Sequence, residues 1–296
     1  MRKKQAVTLV SQKYMRKGLL AESWHRMRKN PGVIFSIIVL SMVILILIYS
    51  LIFISFEDIT RMNPADRFQP PSAAHPFGTD QLGRDLFVRT LYGSRYSLPI
   101  AAGSITLACV VGVFFGALAG FFGGMAEEAV MRVSDMVASI PAILLGMVIV
   151  SIFGSSFTNL MFAIGFTATP QFVRMTRASV LTVKGNEYVE ATQAIGMSRF
   201  RIIFTQVLPN SLSPLIVVLT SRIGSAILQV AGLSFLGFGV PVPLPEWGAL
   251  VSAGRNYIMM APHITLFPGL FIMLTTFSCA LLGDGLRDAL DPKLKI

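Results

Sequence analysis

Long runs without a charged residue constrain this chain more than any other feature. Residues 32–56, 97–126 and 136–173 contain no Asp, Glu, Lys or Arg. About 20 apolar residues suffice for a helix to cross the hydrocarbon core of a bilayer, so each run can cross at least once. The first run is also longer than the core of a secretory signal and lacks a small-residue cleavage site, which favours a retained anchor. The sequence therefore predicts an all-α membrane protein.

Charge content and charge position agree with this class. Only 14% of the residues are charged, whereas a soluble domain carries about a quarter. The net charge is +10, but nine of the 25 Lys and Arg residues precede residue 30, next to the first apolar run. Such a cluster is typical of an orientation signal in contact with membrane lipid headgroups. No basic domain remains for nucleic acid, so nucleic-acid binding is not expected.

Six transmembrane spans account for the apolar segments. The run 136–173 is too long for one straight crossing, and Gly154, Ser155 and Ser156 supply a turn within it. The predicted spans are 32–56, 97–126, 130–153, 157–179, 212–240, and a last one that follows Pro262 and ends before Asp284. Residues 97–283 would thus form a five-helix transmembrane core behind a separate first helix.

The positive-inside rule orients these spans. Arg132, Asp135, Arg174 and Arg177 fall at the same side as the basic N-terminus, which the rule places in the cytoplasm. Both termini are then cytoplasmic. The basic segment 1–31, the loop 180–210 and the tail 284–296 are predicted to be cytoplasmic, and the loops 57–96 and 240–262 to lie outside.

Glycines at four-residue spacing mark one face of the second span. Gly112, Gly116 and Gly120 leave bare backbone along that face. Such faces let neighbouring helices approach closely, so helix packing is preferred here over a ligand role.

The loop 180–210 carries the strongest functional signal. Residues 187–210 predict two short helices at the membrane surface, the first with Tyr188, Val189, Ala191, Thr192 and Ile195 on or near one face. Gly196 suits a left-handed residue that ends this helix, Ser198 can cap the next one, and Pro209 is expected to stop it. An amphipathic pair of this kind suits docking onto a partner protein.

This loop resembles the EAA loop of ABC importer permeases. Glu190 and Ala191 open the motif, Gly196 follows at the expected distance, and Leu208 and Pro209 close it. Thr192 stands where a second alanine is usual. In that family the loop fits a groove on the ATPase, so the resemblance implies an ATPase-coupling role for these residues, with Thr192 affecting which ATPase is recognised.

Further segments narrow the resemblance to the C-type permeases of dipeptide, oligopeptide and nickel importers. They are residues 75–86, 245–248 (Pro-Glu-Trp-Gly) and 282–293. The resemblance implies a type I ABC importer permease fold in a bacterial inner membrane. It also implies a second (B-type) permease, two ABC ATPase subunits and an extracytoplasmic substrate-binding protein as partners.

The chain is not expected to be an enzyme. No Gly-x-x-x-x-Gly-Lys-Ser/Thr phosphate loop occurs, so ATP and Mg²⁺ would be bound by the ATPase subunits and this chain needs no cofactor. His75 and His263 have no ligand-spaced neighbours, and Cys109 and Cys279 sit in apolar segments, so no metal site is predicted. No catalytic residues are predicted either.

For several polar residues the sequence is compatible with both a functional and a structural role. Arg222 lies about 15 Å into the fifth span, and it could line or gate the pathway, bond at a partner interface, or snorkel from a misplaced boundary. Trp247 could cap the outer mouth or anchor the interface. Asp80, Arg84 and Asp85 could contact the binding protein or brace the outer loop, with bracing preferred. Arg132 and Asp135 are expected to pair on one helix face.

The predicted function is a permease subunit for ATP-driven import of di- or oligopeptides, forming half of the pathway. Nickel, metal chelates or glutathione-like peptides are alternative cargoes within the same class. An ion-coupled secondary transporter would call for intramembrane acids and repeats, neither of which is evident. A membrane scaffold would share the docking loop without needing a deep Arg222.

Overall fold

Helices account for nearly all of the fold. A computed structural model describes residues 27–290; most of the basic N-terminal segment and the last six residues of the tail lie outside the described residues. The helices are α1 (Pro31–Phe53), α2 (Phe56–Thr60), α3 (Leu86–Phe122), α4 (Gly124–Ala138), α5 (Ala142–Phe153), α6 (Phe157–Lys184), α7 (Glu187–Ala194), α8 (Arg199–Ile202), α9 (Leu208–Phe235), α10 (Trp247–Gly254) and α11 (His263–Leu290). Between residues 27 and 290 no strand forms, only an isolated bridge between Thr79 and Asp85, so the all-α prediction is confirmed.

The long helices correspond to the predicted spans. Four continuous helices of the described range are long and apolar enough to cross a membrane: Pro31–Phe53, Leu86–Phe122, Arg199–Phe235 and His263–Leu290. The pair α4 and α5 adds a fifth if it counts as one broken span. The remaining predicted span is α6, which has 28 residues but carries polar residues along its length. Length and composition alone therefore support four or five of the six predicted spans.

The third predicted span is not a straight helix. α4 and α5 are bent by 87° relative to one another at a short break. The break falls before Pro141, which is the N-cap residue of α5 and cannot donate a backbone hydrogen bond to the preceding turn. The uncharged run hid this break, because absence of charge does not distinguish one helix from two.

α3 begins earlier than the charge pattern predicted. It starts at Leu86 rather than near 97, with the side chain of Asp85 accepting a hydrogen bond from Val88 N at 3.1 Å as N-cap. Arg89 and Arg95 lie within its first turns and donate to the carbonyls of Ile59 and Ile54, each at 2.7 Å. Cations that donate to backbone carbonyls are thus accommodated in the first three turns of α3.

The glycine face of α3 packs directly on α6. A β-carbon placed at Gly112 would stand 2.3 Å from Cβ of Phe172, and one at Gly116 would stand 2.6 Å from the Val173 carbonyl oxygen. These distances are possible only without side chains, so the predicted close packing is confirmed. α3 and α6 form the central helix pair, against which α9 and α11 complete the main core.

Candidate functional site

The loop between α6 and α9 is anchored by one buried cluster. Its inward-facing side chains pack on the ends of α3 and α6, chiefly on Phe121 and Val180. Four loop residues are fully buried in this cluster: Val189, Ile202, Ile203 and Val207. Because both short helices contribute, the loop is held as one unit against the helix ends.

The opposite face of the loop is open and partly apolar. The exposed fractions are 41% for Tyr188, 78% for Ile195 and 61% for Phe200, and Glu190 and Ala191 are exposed as well. We call these five residues the coupling surface, after the ATPase-coupling role that the resemblance of the loop implies. The expectation of a single apolar face was wrong for Val189, which faces inward while Tyr188 beside it faces outward. Successive helical residues are separated by about 100°, so the two neighbours serve different surfaces.

The turn between α7 and α8 follows the predicted chemistry in part. Gly196 has a φ of +82°, the left-handed conformation expected of a residue that ends a helix. Ser198 occupies the N-cap position of α8 with an extended backbone, but its side chain makes no capping hydrogen bond. Thr192 is half-buried and its hydroxyl donates to the Val189 carbonyl at 2.7 Å.

Pro209 does not stop the second helix, contrary to the prediction. α8 continues through a π turn, Ile203–Val207, into α9, so that Arg199–Phe235 forms one helical rod of 37 residues. Leu208 N–H donates to the Ile203 carbonyl, five residues back. This wider turn makes room for the proline ring, which would otherwise clash with the carbonyl four residues before it. The loop between α6 and α9 is therefore continuous with α9, which belongs to a helix long and apolar enough to cross a membrane.

Polar side chains line a space between α6 and α9. On α6 the polar residues are Thr167, Gln171 and Arg174, spaced by four and three positions. On α9 they are Arg222, Ser225 and Gln229, spaced by three and four positions. These spacings place each set on one face of its helix. Two cavities of about 450 and 480 Å³ open along these faces, and both are lined by Gln171 and Arg222. We call the six residues the polar slot: Thr167, Gln171, Arg174, Arg222, Ser225 and Gln229.

Several slot residues have no partner within the described part of the chain. The side chains of Gln171, Arg222, Ser225 and Gln229 make no hydrogen bond or ion pair there, although each is at least partly exposed to the cavities. Sequence analysis had singled out Arg222 alone. The helical spacing of polar residues in otherwise uncharged runs would have indicated the other three.

Trp247 lies inside the protein, where its indole is fully buried. Its Nε1 donates to the Thr90 carbonyl at 2.8 Å, and its ring contacts that of Phe271 with centroids 5.6 Å apart. Glu246, which sequence analysis passed over, is 1% exposed and caps α10. Its carboxylate accepts hydrogen bonds from Ser97 Oγ at 2.8 Å and from two backbone N–H groups at 3.0 Å. These contacts fix the segment before α10 to α3.

The acidic and basic residues before α3 form a buried brace. Asp80 and Arg84 are 2% and 6% exposed and pair through Oδ2 and Nε at 2.7 Å. Arg89 Nε lies 3.6 Å from the same carboxylate. Asp85 pairs with His75 Nδ1 at 2.7 Å as well as capping α3. All of these contacts are of the bracing kind that the sequence favoured.

The predicted pair of Arg132 with Asp135 was wrong. Arg132 pairs instead with Glu128 at 3.1 Å, one helical turn earlier. Asp135 pairs with Arg174 of α6 at 2.8 Å. Asp135 of α4 thus pairs with a residue of α6 and not with one of its own helix. Spacing within the sequence does not reveal such a contact between helices.

Among the described residues, histidines and cysteines make no ligand cluster. His263 Nε2 lies 3.1 Å from the Thr79 carbonyl, and Cys109 and Cys279 are free thiols. Within residues 27–290 no three His, Cys, Asp or Glu side chains stand close enough to share a metal ion.

Comparison with known proteins places the chain in a family. Residues 112–296 match the model of the binding-protein-dependent transport system inner membrane component. The dipeptide transport system permease protein DppC of Alkalihalophilus pseudofirmus is 42% identical over 93% of this chain and 90% of its own. The glutathione transport system permease protein GsiD of Pectobacterium atrosepticum is 41% identical over 81% and 78%. The oligopeptide transport system permease protein OppC of Bacillus subtilis is 37% identical over 91% and 88%.

A solved structure has the same fold. The inward-facing MetNI methionine ABC transporter aligns with a TM-score of 0.55, at 20% identity, over 69% of this chain and 96% of the other. The predicted type I importer permease fold and the resemblance to peptide-importer permeases are thereby confirmed, and permeases of this kind are non-catalytic membrane subunits. The chain belongs to the family of binding-protein-dependent transport system inner membrane components, as a permease subunit of an ABC importer.

Proposed function

We propose that this chain imports di- or oligopeptides as the C-type member of a permease pair. The pair would work with two ABC ATPases and an extracytoplasmic binding protein. Similarity to permeases named for dipeptide, oligopeptide and glutathione transport supports a peptide cargo. The single structural feature that carries the proposal is the continuous rod Arg199–Phe235, which joins a loop open to partners to a polar face between helices.

The coupling surface is the proposed ATPase contact. The coupling role that the motif implies is proposed here for the same six residues: Glu190, Ala191, Thr192, Gly196, Leu208 and Pro209. Glu190 and Ala191 face outward, Thr192 and Gly196 set the shape of the turn, and Leu208 and Pro209 begin α9. The buried cluster behind them makes the loop move with α3 and α6, because a packed core transmits displacement as a unit.

The rod gives the coupling a direct path. Arg222 lies 23 residues beyond Arg199, about 35 Å along a helix at 1.5 Å per residue. Closure of the ATPases would press on the loop, and the rod would carry that movement to the polar slot. The two permeases would then rotate as rigid bodies and expose the pathway to alternate sides of the membrane.

The polar slot is the proposed half-pathway. Unpaired polar side chains within membrane helices usually face a bundle interior or a water-filled path. Arg222 and its neighbours in the slot meet this description, and a second permease facing the slot would complete the wall. Trp247 and Glu246 would support the pathway indirectly, by holding the outer loop on α3. A binding-protein contact near Asp80, Arg84 and Asp85 stays a prediction, and it would fall on the exposed residues around this buried brace.

The proposed role of the coupling surface implies an orientation of the chain in the membrane. If it meets cytosolic ATPases, the loop and both chain termini are cytoplasmic, and the segments 57–96 and 240–262 are extracytoplasmic. ATP and Mg²⁺ would be bound by the ATPases alone. This orientation agrees with the basic residues before residue 30.

ATP-driven uptake into vesicles tests the proposal. The complete complex is reconstituted with its binding protein, and uptake of a labelled dipeptide, glutathione and nickel is compared with and without ATP. Dipeptide uptake that requires ATP and the binding protein is the expected result. If glutathione or nickel is taken up and the dipeptide is not, that solute is the cargo instead of a dipeptide. If no solute stimulates ATP hydrolysis, the chain would be a membrane scaffold instead.

A further inference from the structure

The charges around the polar slot are unevenly satisfied. The two cavities are lined by four charged residues of the described chain. Arg174 is paired with Asp135. Asp284 and Arg287, in the last two turns of α11, line one of the two cavities together with Arg222, and none of these three makes an ion pair among residues 27–290. Two cations and one carboxylate leave a net positive charge on this cavity, and Arg222, which is half-buried, lines the second cavity as well.

The position of Arg222 follows from the packing of α9 on α11. A β-carbon at Gly283 of α11 would stand 2.8 Å from Cβ of Ser221, and one at Gly224 would stand 2.9 Å from the Thr276 carbonyl, so α9 and α11 are in close contact there. Arg222 is rotated by about 100° from Ser221 on the helix. Arg222 lines both cavities, whereas Ser221 lines only the one that also borders α11.

A guanidinium in this setting selects an anion. Low dielectric surroundings strengthen its attraction for a negative group, and its planar N–H donors match the two oxygens of a carboxylate. Gln171 lines both cavities beside it, and Ser225 lies one helical turn further on. Their amide and hydroxyl groups can donate to the same carboxylate or accept from a peptide N–H. The slot thus offers both a charge and neutral hydrogen-bonding groups.

We propose that Arg222, with Gln171 and Ser225, is a carboxylate-binding station on the translocation path, which holds the free C-terminal carboxylate of a passing peptide. The proposal rests on the peptide-importer function given above. An acidic side chain of the second permease is the other source of a carboxylate, and the experiments distinguish the two. Binding must be weak enough for the solute to leave, and the partial exposure of Arg222 to the cavities makes its attraction for an anion weaker than that of a fully buried cation.

Thiol labelling measures the anion preference without depending on the cargo. Ser225→Cys is introduced after Cys109 and Cys279 are replaced by Ala, and the complete complex is reacted with an anionic sulfonatoethyl or a cationic trimethylammonioethyl methanethiosulfonate. We expect the anionic-to-cationic rate ratio to fall about tenfold when Arg222→Gln is added. Arg132→Gln is the control, because Arg132 is exposed and pairs only with Glu128. An unchanged ratio in Arg222→Gln overturns the anion site.

Uptake then identifies the source of the carboxylate. Wild-type, Arg222→Lys and Arg222→Gln complexes are loaded with a dipeptide or with its C-terminal amide, each at saturating binding protein. We expect Arg222→Gln to lower uptake of the free-acid dipeptide about tenfold relative to the amide, which corresponds to about 1.4 kcal/mol. Arg222→Lys should retain most of the preference, because it keeps the charge.

The remaining outcomes separate this inference from the proposed function. If the wild type imports peptide and Arg222→Gln changes neither the acid-to-amide ratio nor the labelling ratio, the station is overturned while the function stands. If the wild type imports no peptide but labelling depends on Arg222, the cargo is wrong and the anion site is supported. If Arg222→Gln abolishes co-purification of the second permease, the carboxylate belongs to that partner and the solute station is overturned.

Discussion

The glycine face of α3 yields the sharpest prediction about the fold, through the substitution Gly112→Ala. The new β-carbon would stand 2.3 Å from Cβ of Phe172 and 3.0 Å from the Val173 backbone nitrogen. Carbon atoms come to rest about 3.5–4.0 Å apart, so the helices must separate locally by roughly 1 Å. Neither obstacle can rotate away, since one is a β-carbon and the other is backbone.

The expected loss follows from two opposing contributions. Alanine is favoured over glycine within a helix by up to about 1 kcal/mol. Overpacking of a close interface costs about 1–3 kcal/mol, and the immobile neighbours place this site near the upper value. We therefore expect Gly112→Ala to lower the free energy of unfolding by about 2 kcal/mol. Gly269→Ala is the matched control, because a β-carbon at this helical glycine of α11 meets no atom within 4 Å.

Thermal unfolding of the detergent-solubilised protein provides the assay. Gly269→Ala should be neutral or stabilised by up to about 1 kcal/mol, so the two variants should differ by about 2–3 kcal/mol. At roughly 2–4 °C per kcal/mol, their midpoints should differ by about 4–12 °C. If Gly112→Ala unfolds at the same temperature as Gly269→Ala, the close approach of α3 and α6 described above is refuted.

Three further tests concern the loop, the Asp135–Arg174 ion pair and the contacts of Glu246. Gly196→Ala should destabilise the loop by about 1–2 kcal/mol, because φ is +82° there, while Gly185→Ala, at φ −78°, should not. Protease nicking of the loop measures the difference, and equal nicking of the two variants would contradict it. Asp135→Arg and Arg174→Asp should each cost less than about 1 kcal/mol because both side chains are about half exposed, and the double exchange should restore the midpoint of thermal unfolding. Glu246→Gln should cost about 1–3 kcal/mol in the same assay, since an amide NH₂ would replace one accepting oxygen of a buried carboxylate. An unchanged midpoint would count against the stabilising role of the Glu246 hydrogen bonds.

The helices were predictable where composition is extreme. Uncharged runs located the long helices, and the spacing of Gly112 and Gly116 indicated the helix packing. Charge was a poor guide to boundaries, however. Arg95 led the sequence analysis to begin the second span at 97, while the helix begins at Leu86 because Asp85 caps it and carbonyls of the preceding segment accept from the arginines. The 87° break before Pro141 was missed for the same reason.

The site was predictable as a motif and less so as a geometry. The spacing from Glu190 to Gly196 located the loop between α6 and α9 and its left-handed turn, while its coupling role stays a prediction. The π turn that admits Pro209 into a continuous helix depends on a local change of hydrogen-bond spacing that no residue type announces. Arg222 was evident as a charge within a span, but the polar slot depends on α6 and α9 facing each other, which is tertiary information. The pairing of Asp135 with Arg174 is of the same kind.

Binding-protein-stimulated ATP hydrolysis by the complete complex tests the central claim most directly, namely that the coupling surface engages the ATPases. Ala191→Arg places a large cation on an exposed helical position, and Glu190→Ala removes the exposed carboxylate beside it. Glu57→Ala is the control, because it removes an exposed first-turn glutamate from α2, in the predicted outer loop. We predict that Ala191→Arg abolishes the stimulation and Glu190→Ala lowers it severalfold, while Glu57→Ala leaves it unchanged. Full stimulation in Ala191→Arg, with all subunits assembled, would contradict the account.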